Sequence, residues 1–167
     1  MFKKSIITNK PVVVLGIDPG TVRIGYGIVR KDGSKLTRLE SGLIELPKEN
    51  HGRRLVSLEK NLNNLIRRFA PDKVGLERLF LSKNRKTAME VAEARGVIIK
   101  TVFQNAVPLK EMGPNEVKLA VTGDGGADKK AVQKMVRLTL GIRGEKMIDD
   151  ISDALAIAIS AASNLDF

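Results

Sequence analysis

The sequence of 167 residues contains no cysteine, so disulfides and thiolate metal sites are excluded. Long apolar runs are also missing, and none approaches the length of a membrane-spanning helix. The first ten residues offer only the apolar pair at residues 6–7, which is too short for the hydrophobic region of a signal peptide. These absences favour a cytoplasmic protein with no membrane partner.

Negative charge is scarce relative to positive charge. The chain has 29 lysine and arginine residues against 19 aspartate and glutamate residues, which gives a formal net charge of +10. The basic residues are spread along the whole chain, which favours a folded surface that follows a polyanion, most simply nucleic acid. The length suits one compact domain. We expect a single domain over residues 12–167 and a flexible extension over residues 1–11.

Hydrophobic periodicity predicts the element order β-β-β-α-β-α-β-α-α-α. A β-branched, apolar strand ends at Asp18, where Pro19 and Gly20 form a tight turn, and Gly25 and Gly27 leave room for close backbone approach. The predicted fold is α/β, with a mixed five-stranded sheet of three antiparallel and then parallel strands and helices on both faces. The predicted strands cover residues 12–18, 23–30, 35–46, 72–77 and 107–110. The predicted helices cover residues 51–69, 86–104, 115–121, 129–140 and 149–163.

Acidic side chains stand where these elements end. Asp18 closes the first strand and Glu77 closes the fourth, which a crossover makes parallel to the first, so the two carboxylates are expected to converge. In the last helix, Asp150 and Asp153 share a face, and so do Asp149 and Asp153, so either pair could offer two oxygens to one cation. Carboxylates gathered at one rim indicate a Mg²⁺ or Mn²⁺ site for attack on phosphodiesters.

Each acid also has a purely structural interpretation. Asp18 could simply form the turn, and Asp149 and Asp150 could cap the last helix and favour its dipole. Glu77 is harder to explain in this way, because a glutamate in an otherwise apolar crossover strand is costly unless it is paired or bound to a metal.

An ordered set of motifs runs along the chain: Gly-Ile-Asp-Pro-Gly-Thr at residues 16–21, Gly-Tyr-Gly at 25–27, Glu-Arg-Leu-Phe-Leu-Ser-Lys-Asn at 77–84, Glu-Ala-Arg-Gly-Val at 93–97, Pro-Asn-Glu-Val-Lys at 114–118, Val-Thr-Gly at 121–123, Ala-Asp-Lys at 127–129, Val-Gln-Lys-Met-Val at 132–136 and Asp-Ile-Ser-Asp-Ala-Leu-Ala at 150–156. Through this set, from about Val12 almost to its end, the chain resembles the RuvC family of Holliday junction resolvases.

This resemblance implies an RNase H-like fold and a homodimer that makes paired, Mg²⁺-dependent nicks in opposing strands of a four-way DNA junction. It also implies the RuvA and RuvB branch-migration complex as partner. The family's catalytic and metal-binding acids fall on Asp18, Glu77, Asp150 and Asp153, with Asp149 as an extra neighbour. Its junction-facing aromatic residue falls on Phe80, and its basic DNA contacts fall on Lys118 and Lys129. Residues 1–10 have no counterpart in the family pattern.

Other interpretations stay open at this level. Phe80 could be a core residue, and without the resemblance the two lysines would not stand out. The aspartate turn also suits an actin-like ATPase, but 167 residues cannot supply the two domains which that fold needs. A non-catalytic junction-binding module, or an RNase H-like nuclease acting on other branched DNA or RNA, would share the basic charge. For the dimer, we expect contact through the small residues Ala88, Ala92 and Ala94.

Overall fold

The computed structural model describes residues 10–48, 50–78 and 85–163, with Arg85 described by its backbone alone. Within these ranges the chain forms five strands and five helices in the predicted order. The elements are β1 Val12–Asp18, β2 Arg23–Asp32, β3 Lys35–Glu45, α1 His51–Phe69, β4 Lys73–Glu77, α2 Arg85–Gln104, β5 Leu109–Met112, α3 Pro114–Thr122, α4 Lys129–Leu140 and α5 Asp149–Ser163.

The strands form one mixed sheet in the order β3-β2-β1-β4-β5. Strands β1, β2 and β3 are antiparallel neighbours, whereas β4 is parallel to β1 and β5 is parallel to β4. The mixed sheet predicted from the sequence is therefore confirmed. Ile17 pairs with Leu76, so Asp18 and Glu77 are the next residues on two adjacent parallel strands. The register thus places both acids at the same edge of the sheet.

Strand β5 begins two residues later than predicted. After α2 the chain turns at Ala106, whose φ of 55° is in the left-handed region. The next residue, Val107, is still tied to the helix, because its backbone N–H donates to the carbonyl of Val102 at 3.2 Å. Strand β5 therefore begins only at Leu109, which is the register partner of Val74 in β4.

Helices cover both faces of the sheet, as predicted. One hydrophobic core lies under α1 and α2, and the other lies under α3, α4 and α5. Leu15 and Ile17 of β1 belong to the first core, and Val14 belongs to the second, as the alternation of a strand requires. Ala94 of α2 is 2% exposed and packs in the first core. The prediction that Ala94 contacts a second copy in a dimer is therefore wrong, because its side chain is buried within its own chain.

Helix α5 lies directly on the backbone of the sheet. A Cβ added at Gly16 would come 2.2 Å from the carbonyl oxygen of Ala154, and one added at Gly25 would come 2.0 Å from that of Asp150. These distances leave no room for any side chain, so the glycines of β1 and β2 allow the close approach that the sequence predicted. The first turns of α5, which carry the acids, are thereby fixed against the ends of the strands.

Two further expectations concern the ends of the chain and membranes. Residues 1–9 lie outside the described residues, so the flexible extension over residues 1–11 stays a prediction. No helix in the described ranges is long and apolar enough to cross a lipid bilayer.

Candidate active site at the ends of strands β1 and β4

Three elements bring acidic side chains to one edge of the sheet. Asp18 closes β1, Glu77 closes β4, and Asp150 and Asp153 lie in the first two turns of α5. Register places the first two side by side, and the glycine contacts press the last two against β1 and β2. The four acids predicted from the sequence therefore lie at the same end of the molecule.

Asp18 is the acid of this group whose pKa is most strongly perturbed. Burial, the largest cause, raises the pKa of Asp18 from its ordinary value of 3.8 to about 7. Repulsion from three other carboxylates adds to the effect of burial, in decreasing order those of Asp153, Glu77 and Asp150, while Lys129 acts in the opposite direction. Like charges raise a carboxyl pKa in this way only when they are near neighbours.

The same causes act on the two acids that face Asp18. Burial, followed by repulsion from Asp153, raises the pKa of Glu77, although Lys118 opposes the change. Burial also raises the pKa of Asp153, even though Lys129 acts against it through its charge and a hydrogen bond. Asp18, Glu77 and Asp153 thus form a partly buried group whose ionised state is costly without a compensating cation.

The two remaining aspartates of α5 point to different neighbours. Asp150 forms an ion pair with Arg23 at the start of β2, with 3.2 Å between the guanidinium nitrogen and the carboxylate oxygen. Asp149 faces α4, where it pairs with Lys129 at 3.1 Å and accepts a hydrogen bond from the Gln133 amide at 2.8 Å. The two alternative pairs left open by helical spacing are therefore not equivalent: of Asp149 and Asp150, Asp150 is the one whose charge raises the pKa of Asp18.

Both predicted DNA-contacting lysines lie beside the acids. Lys118 of α3 and Lys129 of α4 line an open cleft of about 200 Å³ together with Glu77 and Asp153. The cleft floor is apolar and comes from α3, α4 and α5 through Val117, Val132, Ala156 and Ile157. The Lys129 ammonium also donates to Asp153 Oδ2 at 3.4 Å. Phe80, the predicted aromatic contact, lies outside the described residues, so its role stays a prediction.

Two polar partners of the site were not identified from the sequence. Arg23 had no distinguishing signal, because its pairing with Asp150 depends on how α5 docks onto β2. Gln133 could have been found, since it lies one helical turn after Lys129 and must therefore share its face of α4. Both residues orient acids of α5.

The donor set fits a hard divalent cation. Carboxylate oxygens are the preferred protein ligands of Mg²⁺ and Mn²⁺, and a bound cation would relieve the repulsion that raises the pKa values of Asp18, Glu77 and Asp153. Among the residues that the structure describes, no three acidic or histidine side chains are already closed into a metal-binding group. The acids are collected at one edge but not drawn together around a common point.

Fold and site together define a class: an RNase H-like α/β fold with an acidic, basic-rimmed cleft at the carboxyl ends of parallel strands. The fold is shared by the yeast mitochondrial Holliday junction resolvase Ydc2, and the match covers 88% of this chain and 76% of that one. That match has a TM-score of 0.67 and 15% identity, so it concerns the fold alone.

Closer relatives identify the family. The family model for crossover junction endodeoxyribonuclease RuvC matches residues 14–161. The RuvC protein of Chloroflexus aggregans is 45% identical over 149 residues, which are 89% of this chain and 91% of that protein. The structure of Thermus thermophilus RuvC in complex with Holliday junction substrate matches with a TM-score of 0.84 and 33% identity, over 90% of this chain and 93% of that one. The chain belongs to the RuvC family of crossover junction endodeoxyribonucleases.

Proposed function

We propose that this protein is a structure-selective endonuclease that resolves four-way (Holliday) DNA junctions during recombination and repair, by paired metal-dependent nicks in opposing strands. The observation that carries the proposal is that Asp18, Glu77, Asp150 and Asp153 lie at one edge of the sheet, where Glu77 and Asp153 line a cleft together with two lysines. Family membership supports the same activity, since the relatives are named crossover junction endodeoxyribonucleases.

The four acids are proposed to be both the catalytic and the metal-binding residues. Mg²⁺ is the expected cation, with Mn²⁺ as substitute, because the donors are all carboxylates. When bound, such a cation activates water and stabilises the charge on the leaving oxygen. The fold sets the positions of these side chains. The register of β1 and β4 places Asp18 beside Glu77, and the close packing of α5 on the glycines of β1 and β2 places Asp150 and Asp153.

The DNA contacts follow from charge and position. Lys118 and Lys129 line the cleft that contains Glu77 and Asp153, so their ammonium groups would pair with phosphates beside the cleavage site. Phe80 is three residues after Glu77, and we propose that its ring supports bases that are unstacked at the centre of the junction.

Opposed nicks require two active sites, so we propose a homodimer whose twofold axis matches the junction. The proposed contact surface of this dimer is an apolar stripe on α2. Met89 and Phe103 are 66% and 67% exposed, and Gly96 lies midway between them at heptad spacing. A Cβ at Gly96 would meet nothing within 4 Å in this chain, so the glycine is free to admit the backbone of a second copy.

Two further parts of the proposal rest on family membership. The RuvA and RuvB branch-migration complex is the proposed protein partner, since it would deliver the junction on which this nuclease acts. A cytoplasmic location is also proposed, because an enzyme that cuts DNA junctions must reach the DNA of the cell.

A substrate comparison tests the proposed function. End-labelled four-way junction, three-way junction, nicked duplex, linear duplex and RNA–DNA hybrid are each incubated with the protein and Mg²⁺. We expect symmetric nicks in the four-way junction and little cutting of linear duplex. Equal cutting of hybrid and junction would indicate a general RNase H-like nuclease, and binding without cutting would indicate a junction-binding module.

A further inference from the structure

Asp149 is tied to α4 by both of its carboxylate oxygens. Oδ2 pairs with the Lys129 ammonium at 3.1 Å, and Oδ1 accepts a hydrogen bond from the Gln133 amide at 2.8 Å. Lys129 and Gln133 are four residues apart on α4, so they present their side chains on the same helix face. The first turn of α5 thus meets α4 through a three-membered polar cluster of Gln133, Asp149 and Lys129.

This cluster reaches the candidate active site through Lys129. The ammonium that pairs with Asp149 also lies 3.4 Å from Asp153 Oδ2, so it bridges an exposed carboxylate and a catalytic one. Lys129 has a long, flexible side chain that is 53% exposed, so neither burial nor packing fixes its head group. The second anchor at Asp149 is what holds the ammonium at the mouth of the cleft.

We propose that Asp149 is a positioning residue, oriented by Gln133, that keeps the Lys129 ammonium beside Asp153 where the scissile phosphate enters. The inference rests on the proposed function and deepens it, because it separates Asp149 from the metal-binding acids. A negative charge near DNA weakens binding in itself. Asp149 therefore raises the rate at which bound junction is cut rather than the affinity for the junction.

The expected size follows from the exposure of the pair. Exposed ion pairs contribute little, so loss of the anchor should slow single-turnover nicking by about two- to fivefold. Asp149→Ala removes both the charge and the anchor. Gln133→Ala leaves every charge in place and removes only the hydrogen bond that orients Asp149. It should therefore slow nicking as well. Asp149→Glu keeps a carboxylate within reach and should restore most of the rate.

The experiment measures single-turnover nicking with Mg²⁺ and junction affinity with Ca²⁺, for each variant in the natural sequence and in a Lys129→Ala background. We expect slower nicking with equal or tighter binding, and no further slowing once Lys129 is absent. Asp32→Ala serves as the control, because Asp32 is an acid in the β2–β3 hairpin whose side chain is exposed to a similar degree, 55% against 62% for Asp149. A slowing that persists without Lys129, or equal losses of rate and affinity, would overturn the proposal. Unchanged rates in both Asp149→Ala and Gln133→Ala would also overturn it.

A second readout needs neither cleavage nor metal. An ammonium held by two carboxylates exchanges its protons with water more slowly than a free one, so ¹⁵N-labelled lysine should give a sharp Lys129 Nζ signal in the metal-free protein. Asp149→Ala should broaden or shift that signal, and an unchanged signal would refute the anchor. If the natural sequence fails to nick junctions, the proposed function fails, while this spectrum still tests the anchor on its own.

Discussion

The variant Asp18→Asn should make the metal-free protein more stable at alkaline pH. Asp18 is partly buried beside Asp153, Glu77 and Asp150, and these causes raise its pKa from 3.8 to about 7. A folded-state pKa above the unfolded value means that the folded protein holds its proton more tightly. Folding is therefore favoured at low pH and is progressively penalised as the pH rises.

The pH window and the magnitude follow from these two values. Below 3.8 the carboxyl is protonated in both states and carries no penalty, whereas the penalty grows between 3.8 and about 7 and is complete above about 7. At about 1.4 kcal/mol for each pH unit, the upper limit is about 4 kcal/mol. Asparagine has the same shape and no charge, so it avoids the penalty and also relieves Glu77 and Asp153.

Urea unfolding in EDTA at about pH 5 and about pH 9 measures the effect. Part of the penalty is already present at pH 5, so we expect the stability difference between Asp18→Asn and the natural sequence to widen by up to about 3 kcal/mol between these pH values. Asp32→Asn, which removes an exposed acid from the hairpin, should show no such widening. A difference that does not change with pH would refute the electrostatic account of the site.

Three further outcomes are expected. Gly16→Ala should lower stability by about 1–3 kcal/mol or more in thermal unfolding, because its Cβ would lie 2.2 Å from a carbonyl oxygen of α5; an unchanged midpoint would contradict this seating. Phe103→Asp should give a monomer in light scattering, whereas Leu138→Asp, at an apolar side chain of similar exposure on α4, should not; a dimer in both would exclude the α2 stripe. Phe80→Ala should slow cutting of a fully paired junction about ten- to hundredfold, and much less for one whose centre is already unpaired, and equal losses would remove Phe80 from the site.

The fold could be predicted in outline because its determinants are local. An aspartate followed by Pro-Gly marked the end of β1, and a crossover made β4 parallel to β1. Asp32 and Gly33 at the β2–β3 connection are likewise a dipeptide that favours a hairpin turn. The start of β5 could not be read from the sequence, since it depends on the left-handed turn at Ala106 and on a hydrogen bond back to α2.

The sequence predicted which acids lie together at the site, but it did not predict which side chains they contact. Strand register brings Asp18 and Glu77 together, and this is visible in the pattern of elements. The partners of Asp149 and Asp150 depend on where α5 docks against α4 and β2, which only tertiary packing decides. For the same reason, the small residues of α2 suggested a dimer surface, although Ala94 is buried in its own chain.

The most direct test of the catalytic assignment is the rate at which Asp18→Asn nicks a labelled four-way junction with Mg²⁺, measured beside its affinity for the same junction with Ca²⁺. We expect no detectable nicking, affinity equal to or tighter than that of the natural sequence, and a fold that is at least as stable. The control Asp32→Asn should nick normally. Nicking by Asp18→Asn at a rate close to that of the natural sequence would contradict the assignment of these acids as the cleavage site.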